Sequence, residues 1–166
     1  MPQQAPPGGR GLMDRFLSHY VHSVDSKGRI SVPAAYRQVL ASRDIRDLFA
    51  MRNLDLPVMN VGGPDLAREF ELEMEKLDPF SPEYQDLAIL AYGDGTYLKT
   101  DSEGRIIIND LIREHTGITD RATFVGVGNK FQLWRPEDFE EKLSALRERA
   151  AKTRAAKTRS AGTTET

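Results

Sequence analysis

Apolar positions along this chain alternate, stop at a polar turn, alternate again and then fall into helical spacing, and the whole succession occurs twice. In the first pass Phe16, Leu17, Tyr20, Val21 and Val24 give a strand-like pattern that puts His19 and His22 on opposite faces. Residues 25–28 read as a turn, with Asp25 bonding back to the backbone and Gly28 supplying a positive φ. Ile30 and Val32 then alternate as a short strand, Pro33 fits a first helical position, and Tyr36, Val39 and Leu40 mark a short amphipathic helix over 34–41. Apolar runs at 48–51 and 58–61 predict two more strands. Pro64 opens a longer helix whose apolar face is Leu66, Phe70, Met74 and Leu77.

The segment SPEYQDLAILAY predicts a connecting helix, with Ser81 as N-cap and Pro82 at the first position. The second pass follows: a strand at 96–100, the turn DSEGR, and a strand at 106–108. A short helix comes next, capped by Asn109 and ended by Gly117. Strands at 122–127 and 131–134 flank a hairpin loop, and Pro136 opens a last helix with the stripe Phe139, Leu143, Leu146 and Ala150.

The repetition extends to residue identity. HSVDSKGRISVPAAYR (22–37) returns as LKTDSEGRIIINDLIR (98–113). At one constant offset Asp25 matches Asp101, Ser26 Ser102, Gly28 Gly104, Arg29 Arg105, Ile30 Ile106 and Arg37 Arg113. Either half alone is too small to close a good core, so the halves are expected to interlock. The expected organisation is an extension at 1–15, a first half at 16–78, a connecting helix at 79–92, a second half at 93–150 and a basic tail at 151–166. MPQQAPPGGRGL is expected to be disordered from its Pro, Gly and Gln content, with Met13 as a candidate native start. From Ala151 the apolar face is lost, which predicts a fraying, flexible end.

Composition narrows the class. The chain has 166 residues, 39% of them hydrophobic, and no cysteine, which removes disulfides, Cys-based zinc sites and Cys nucleophiles. No apolar run reaches the roughly 18 residues of a membrane span, and the N-terminal residues lack a secretory apolar centre, so a cytoplasmic protein is expected. A net charge of −2 conceals blocks of charge. Residues 1–52 hold eight Lys/Arg against four acids, 65–86 hold two against eight, and 142–159 hold seven against Glu148 alone. Such blocks let a basic surface face a polyanion, although solvated amphipathic helices produce them too.

Catalytic and cofactor patterns are absent from the sequence. His19, His22 and His115 lack ligand spacing, GVGNK lacks the phosphate-loop spacing and sits between strands, and no serine occupies a GxSxG turn. No enzyme activity, metal or cofactor is expected. The two DxxGR turns remain. One such turn has an ordinary structural reading, in which the aspartate closes the loop and the arginine is solvent-facing or salt-bridged. Two in register, each between a strand and a strand-plus-helix, indicate a pseudo-two-fold surface.

With these residues in view, VDSKGRISVPAAYR in the first half and DSEGRIIINDLIREHTGIT with FVGVGNKFQLW in the second, the chain resembles the MraZ family of bacterial transcriptional regulators. These belong to the AbrB-like swapped-hairpin group. The resemblance runs from about Phe16 to Leu146 and implies an α+β fold: a double-split β-barrel of two pseudo-symmetric halves with outer helices, assembled into a homo-oligomeric ring. It implies a DNA-binding surface made by Asp25, Lys27, Gly28 and Arg29 and by Asp101, Gly104 and Arg105. In that surface Arg29 and Arg105 donate to guanine O6 and N7, and Lys27 meets phosphate.

The implied partner is promoter DNA carrying short direct repeats, upstream of the protein's own cell-division and cell-wall gene cluster, usually with repression, in a nucleoid-associated protein. Two departures from the family pattern stand out. Asn109 replaces a proline that many members carry, and Glu103 replaces the charge of Lys27. The rival readings are an oligomeric scaffold and an antitoxin-like AbrB relative acting through protein contacts.

Overall fold

The computed structural model describes residues 14–162. Most of the extension expected at 1–15, with Met13, therefore lies outside the described residues, as do 163–166. Among the described residues are eight strands: β1 His19–Ser23, β2 Arg29–Ser31, β3 Leu48–Arg52, β4 Met59–Gly62, β5 Gly95–Leu98, β6 Arg105–Ile107, β7 Arg121–Gly126 and β8 Phe131–Trp134. Five α-helices accompany them: α1 Ala34–Ser42, α2 Arg68–Glu75, α3 Pro82–Ala88, α4 Asp110–Thr116 and α5 Pro136–Gly162. The fold is mixed α+β with antiparallel strand pairing.

Pairing exchanges strands between the halves. Six strands form one sheet in the order β1-β7-β8-β4-β3-β5, and β2 pairs with β6 in a separate ribbon. Swapping each strand for its counterpart in the other half reverses this order and leaves it unchanged, which is the mark of a pseudo-two-fold axis. The opening strand of each half lies on the other half: β1 on β7, from His19↔Val125 to Ser23↔Arg121, and β5 on β3, from Leu48↔Leu98 to Met51↔Gly95. The axis passes through Asn60↔Gln132 in the sheet and Ile30↔Ile106 in the ribbon.

One apolar cluster spans both halves, including Phe16, Ile30, Tyr36, Leu48, Ile106, Ile112, Phe124 and Phe131. Phe16, Tyr36, Phe124 and Phe131 pack ring to ring, with centroids 5.2 to 6.3 Å apart. Burial pushes the Tyr36 hydroxyl above its ordinary pKa, and the hydroxyl donates to the Ser18 carbonyl at 2.7 Å. The first half lacks a counterpart of Trp134; a second apolar cluster joins Met51 and Leu66 of that half to Ala91 of the connecting segment, flanked by Phe49 and Phe70.

Local departures from the sequence reading have physical causes. Pro33 is the N-cap of α1, with ψ 139°, so the helix starts one residue later than its proline suggests. The helix expected from Pro64 begins as a 3-10 turn, Pro64–Ala67. The connecting helix widens into a π-turn, Ile89–Gly93, closed by Asp94 N–H donating to the Ile89 carbonyl at 2.9 Å. The apolar pattern predicts a strand from Phe16, but of residues 16–18 only Phe16 bridges, to Gly128, and Ser18 has a φ of 66°.

Residues up to 135 form one compact unit and α5 another. Within α5, Phe139 is buried and Leu143 half-buried, while Leu146 and Ala150 are exposed. The tail expected to fray from residue 151 is helical through Gly162. Repeated Ala, Lys and Arg are strong helix formers, so loss of an apolar face does not end the helix.

Candidate nucleic-acid interface

Each DxxGR turn is a closed hydrogen-bonded unit built on its aspartate. Asp25 Oδ1 accepts from the Lys27 and Arg29 backbone N–H groups at 3.0 and 2.9 Å, and Oδ2 accepts from Arg29 Nε at 2.7 Å. The Asp25 N–H donates to the Arg29 carbonyl, and the Gly28 N–H donates to the Asp25 carbonyl, both at 2.9 Å. The second turn repeats this. Asp101 Oδ1 accepts from Glu103 and Arg105 N–H groups, both at 2.9 Å, and Oδ2 accepts from Arg105 Nε at 2.8 Å. Gly28 and Gly104 sit at φ 80° and 76°, where a side chain is strained.

The halves brace one another's turns. The Ile108 N–H donates to the Gly28 carbonyl at 2.8 Å, and the Val32 N–H to the Gly104 carbonyl at 3.0 Å. Arg37 and Arg113, matched in the repeat but given no role by the sequence reading, also cross over. Arg37 Nε donates to the Val32 carbonyl at 3.2 Å, and its Cδ lies 2.6 Å from where a Cβ on Gly104 would stand. Arg113 donates to the Ile108 and Thr119 carbonyls at 3.2 and 3.0 Å, and its Nη2 lies 3.6 Å from the equivalent point on Gly28. Their equal spacing in the two repeats was the available signal.

The β2–β6 ribbon carries both turns. Ile30 and Ile106 point into the core, 1% and 0% exposed, so alternation places Arg29, Ser31, Arg105 and Ile107 on the outer face. All seven residues expected at the site are thus gathered on this ribbon and its two turns. Arg29 stands opposite Ile107, and Arg105 opposite Ser31. Ile107 is 54% exposed, large for an isoleucine with no visible structural duty. His22 also reaches the ribbon, with Nδ1 2.6 Å from the Ser31 carbonyl oxygen.

Electrostatics separates the turns. Glu103 Oε2 lies 3.1 Å from Arg105 Nη2, so Arg105 is gripped from two sides, whereas Arg29 has Lys27 at the matching sequence position and its Nη groups take no partner among the described residues. The Arg29 backbone N–H, more than the guanidinium, holds the Asp25 carboxyl below its ordinary value, and the Arg105 N–H does the same for Asp101. The bond to Asp101 raises the Arg105 guanidinium, with Glu103 and Asp25 adding to it. With Asp25 on its Nε, Arg29 keeps both Nη groups as donors, a fork suited to planar acceptors.

Among the described residues no group of three or more His, Asp or Glu is placed to hold a metal ion, and no helix is long and apolar enough to cross a membrane. Fold and site together define a class: an internally duplicated, strand-exchanged α+β protein that presents two aspartate-held arginines on one ribbon face. Residues 92–160 match a family model described as "MraZ protein, putative antitoxin-like". The protein named transcriptional regulator MraZ from Rhizobium johnstonii is 45% identical over 127 residues, 76% of this chain and 88% of that one. The proteins of the same name from Rhizobium meliloti and Azorhizobium caulinodans are 43% identical over 136 residues and 39% over 137. Each match covers 82% of this chain, and 93% and 87% of those proteins. The chain belongs to the MraZ family.

Proposed function

We propose that this protein is a sequence-specific DNA-binding transcriptional regulator whose reading elements are the two DxxGR turns. The observation that carries this is the pair of aspartate-held guanidinium groups on one exposed ribbon face. A two-stranded ribbon fits the major groove, where an arginine donating to guanine O6 and N7 discriminates by roughly 1–3 kcal/mol. Asp25 and Asp101 set the arginines, Gly28 and Gly104 shape the turns, and Lys27 neutralises phosphate. Ile107, beside Arg29, supplies an apolar contact of the kind that distinguishes a thymine methyl.

The proposed fold is the double-split β-barrel of the AbrB-like swapped-hairpin group, and the exchange of β1 and β5 between halves supports it. Its halves are residues 16–78 and 93–150, joined by 79–92. The protein acts in the cytoplasm at the nucleoid as a homo-oligomeric ring. It engages short direct repeats in the promoter of its own cell-division and cell-wall cluster and represses it. Relatives named as transcriptional regulators support this reading. Footprinting on the DNA upstream of its own gene tests it: protection of spaced repeats by the wild type and none by Arg29→Ala is expected. Equal protection by both removes Arg29 from the reading role.

A further inference from the structure

The basic end of α5 has no duty in the site described so far. Residues 147–159 hold six cations against Glu148, in a segment that contains AAKTR twice in succession. Every residue from 144 to 162 is exposed. In both repeats the threonine hydroxyl turns back onto the helix: Thr153 donates to the Arg149 carbonyl at 2.9 Å and Thr158 to that of Arg154 at 3.0 Å. The surface is left with methyl groups and cations. Arg147, Arg149, Lys152, Arg154 and Lys157 form no ion pair among the described residues.

Two ordinary explanations fall short. Cations near a helix C-terminus answer its dipole, but that effect is confined to the last turn or so, and here the cations begin at Arg147, well before Gly162. A solvated helix normally gains from opposite charges four residues apart; this segment has one acid. The arrangement also argues against a flat acidic partner. A five-residue step turns about 140° around an α-helix, so Arg149 and Arg154, and likewise Lys152 and Lys157, point to different sides. A flat partner would meet a fraction of them. A duplex groove, walled by phosphates on both sides, meets them all. The segment rises about 18 Å, beside which duplex DNA carries one charge per about 1.7 Å.

We infer that residues 147–159 of α5 are a second, sequence-independent nucleic-acid contact, a cationic helix that binds the phosphate walls of duplex DNA. For its choice of partner this rests on the DNA-binding reading, but it uses none of the ribbon residues. Its effect is on affinity alone: counterions released by these side chains steepen the dependence of binding on salt, without choosing among sequences.

The test uses the full chain carrying Arg147→Gln, Arg149→Gln, Lys152→Gln, Arg154→Gln and Lys157→Gln together, since glutamine keeps comparable helix propensity. A second variant carries Arg147→Lys, Arg149→Lys and Arg154→Lys. Binding to the upstream duplex and to a scrambled duplex is titrated across a salt series, with circular dichroism and size-exclusion chromatography alongside. The glutamine variant is expected to lose roughly two to four units of the log affinity against log salt slope, equally on both duplexes, while the lysine variant keeps it.

An unchanged slope overturns the inference. So does a changed oligomer size with an unchanged slope, which would assign the segment to contact with a second copy. A loss confined to the upstream duplex overturns its sequence independence. Arg29→Ala, run in parallel, separates the two claims. Specificity lost there with the glutamine slope unchanged removes only the helix contact, and the reverse removes only the ribbon reading.

Discussion

The two DxxGR turns have the same backbone hydrogen bonds to within 0.2 Å, yet they leave their arginines in different states. In the first, Arg29 has one carboxylate on Nε and a lysine two residues earlier in the chain; in the second, Glu103 adds a contact to Nη2 of Arg105. Backbone geometry here is set by aspartate and glycine, which both copies keep. Availability of the guanidinium is set by the side chain two residues earlier, which they do not. Duplication thus preserved the frame and left one position to set how free each guanidinium is.

The largest expected effect falls on the more available arginine. Arg29→Ala should reduce binding to the upstream DNA toward the level of a scrambled duplex, by roughly 5- to 150-fold per contact, with elution volume unchanged. Arg105→Ala should cost less, because Arg105 must first leave Glu103. Equal losses in gel-shift titration would erase the distinction between the turns.

Stability should divide them in the opposite order. An alanine in left-handed conformation costs roughly 1–2 kcal/mol at either glycine, but at Gly104 it also displaces Arg37, whose Cδ would be 2.6 Å away. Gly104→Ala should therefore lower Tm more than Gly28→Ala. Adding Arg37→Ala should make the sum less than additive. Identical melting curves for the two alanine variants would show that Arg37 yields without cost.

Reversing the charge two residues before each arginine gives a smaller effect. Lys27→Glu should flatten the salt dependence of binding by about one unit and Glu103→Lys steepen it by about one, on upstream and scrambled DNA alike. Unaltered slopes would place both side chains away from phosphate.

The smallest effect is with pH and should be common to both turns. The carboxyls of Asp25 and Asp101 are held below their ordinary 3.8 in the folded protein. What they contribute is fully present above the unfolded value and is lost only as pH falls through the lower folded one. Carboxyl NMR titration should give midpoints below 3.8 for both, and a midpoint above it for either would mean that its turn is open in solution.

Features that depend on near neighbours were legible in the sequence. The Asp-to-Gly turns, the Asn109 cap accepting from Ile112 N–H at 3.1 Å, and the Ser81 cap accepting from Tyr84 N–H at 3.2 Å are decided within a few residues. The alternation that buries Ile30 and Ile106 was equally clear. Strand partners were not legible, because nothing around His19 names Val125. The bracing by Arg37 and Arg113 depends on that same long-range exchange. The π-turn after α3 and the helical continuation past residue 151 escaped because periodicity tracks apolar faces, and neither feature is made by one.

Exchange of strands also sets when the protein becomes competent during synthesis. A nascent chain that has left the ribosome as far as β4 holds the complete first DxxGR motif, but β6, which lines the ribbon, and Ile108, which anchors Gly28, have not been made. β1 waits longer still, for β7. A prematurely released fragment carrying the first half would have its arginine without the braced turn that aims it. Incomplete products of translation should therefore not compete with the finished regulator for its sites.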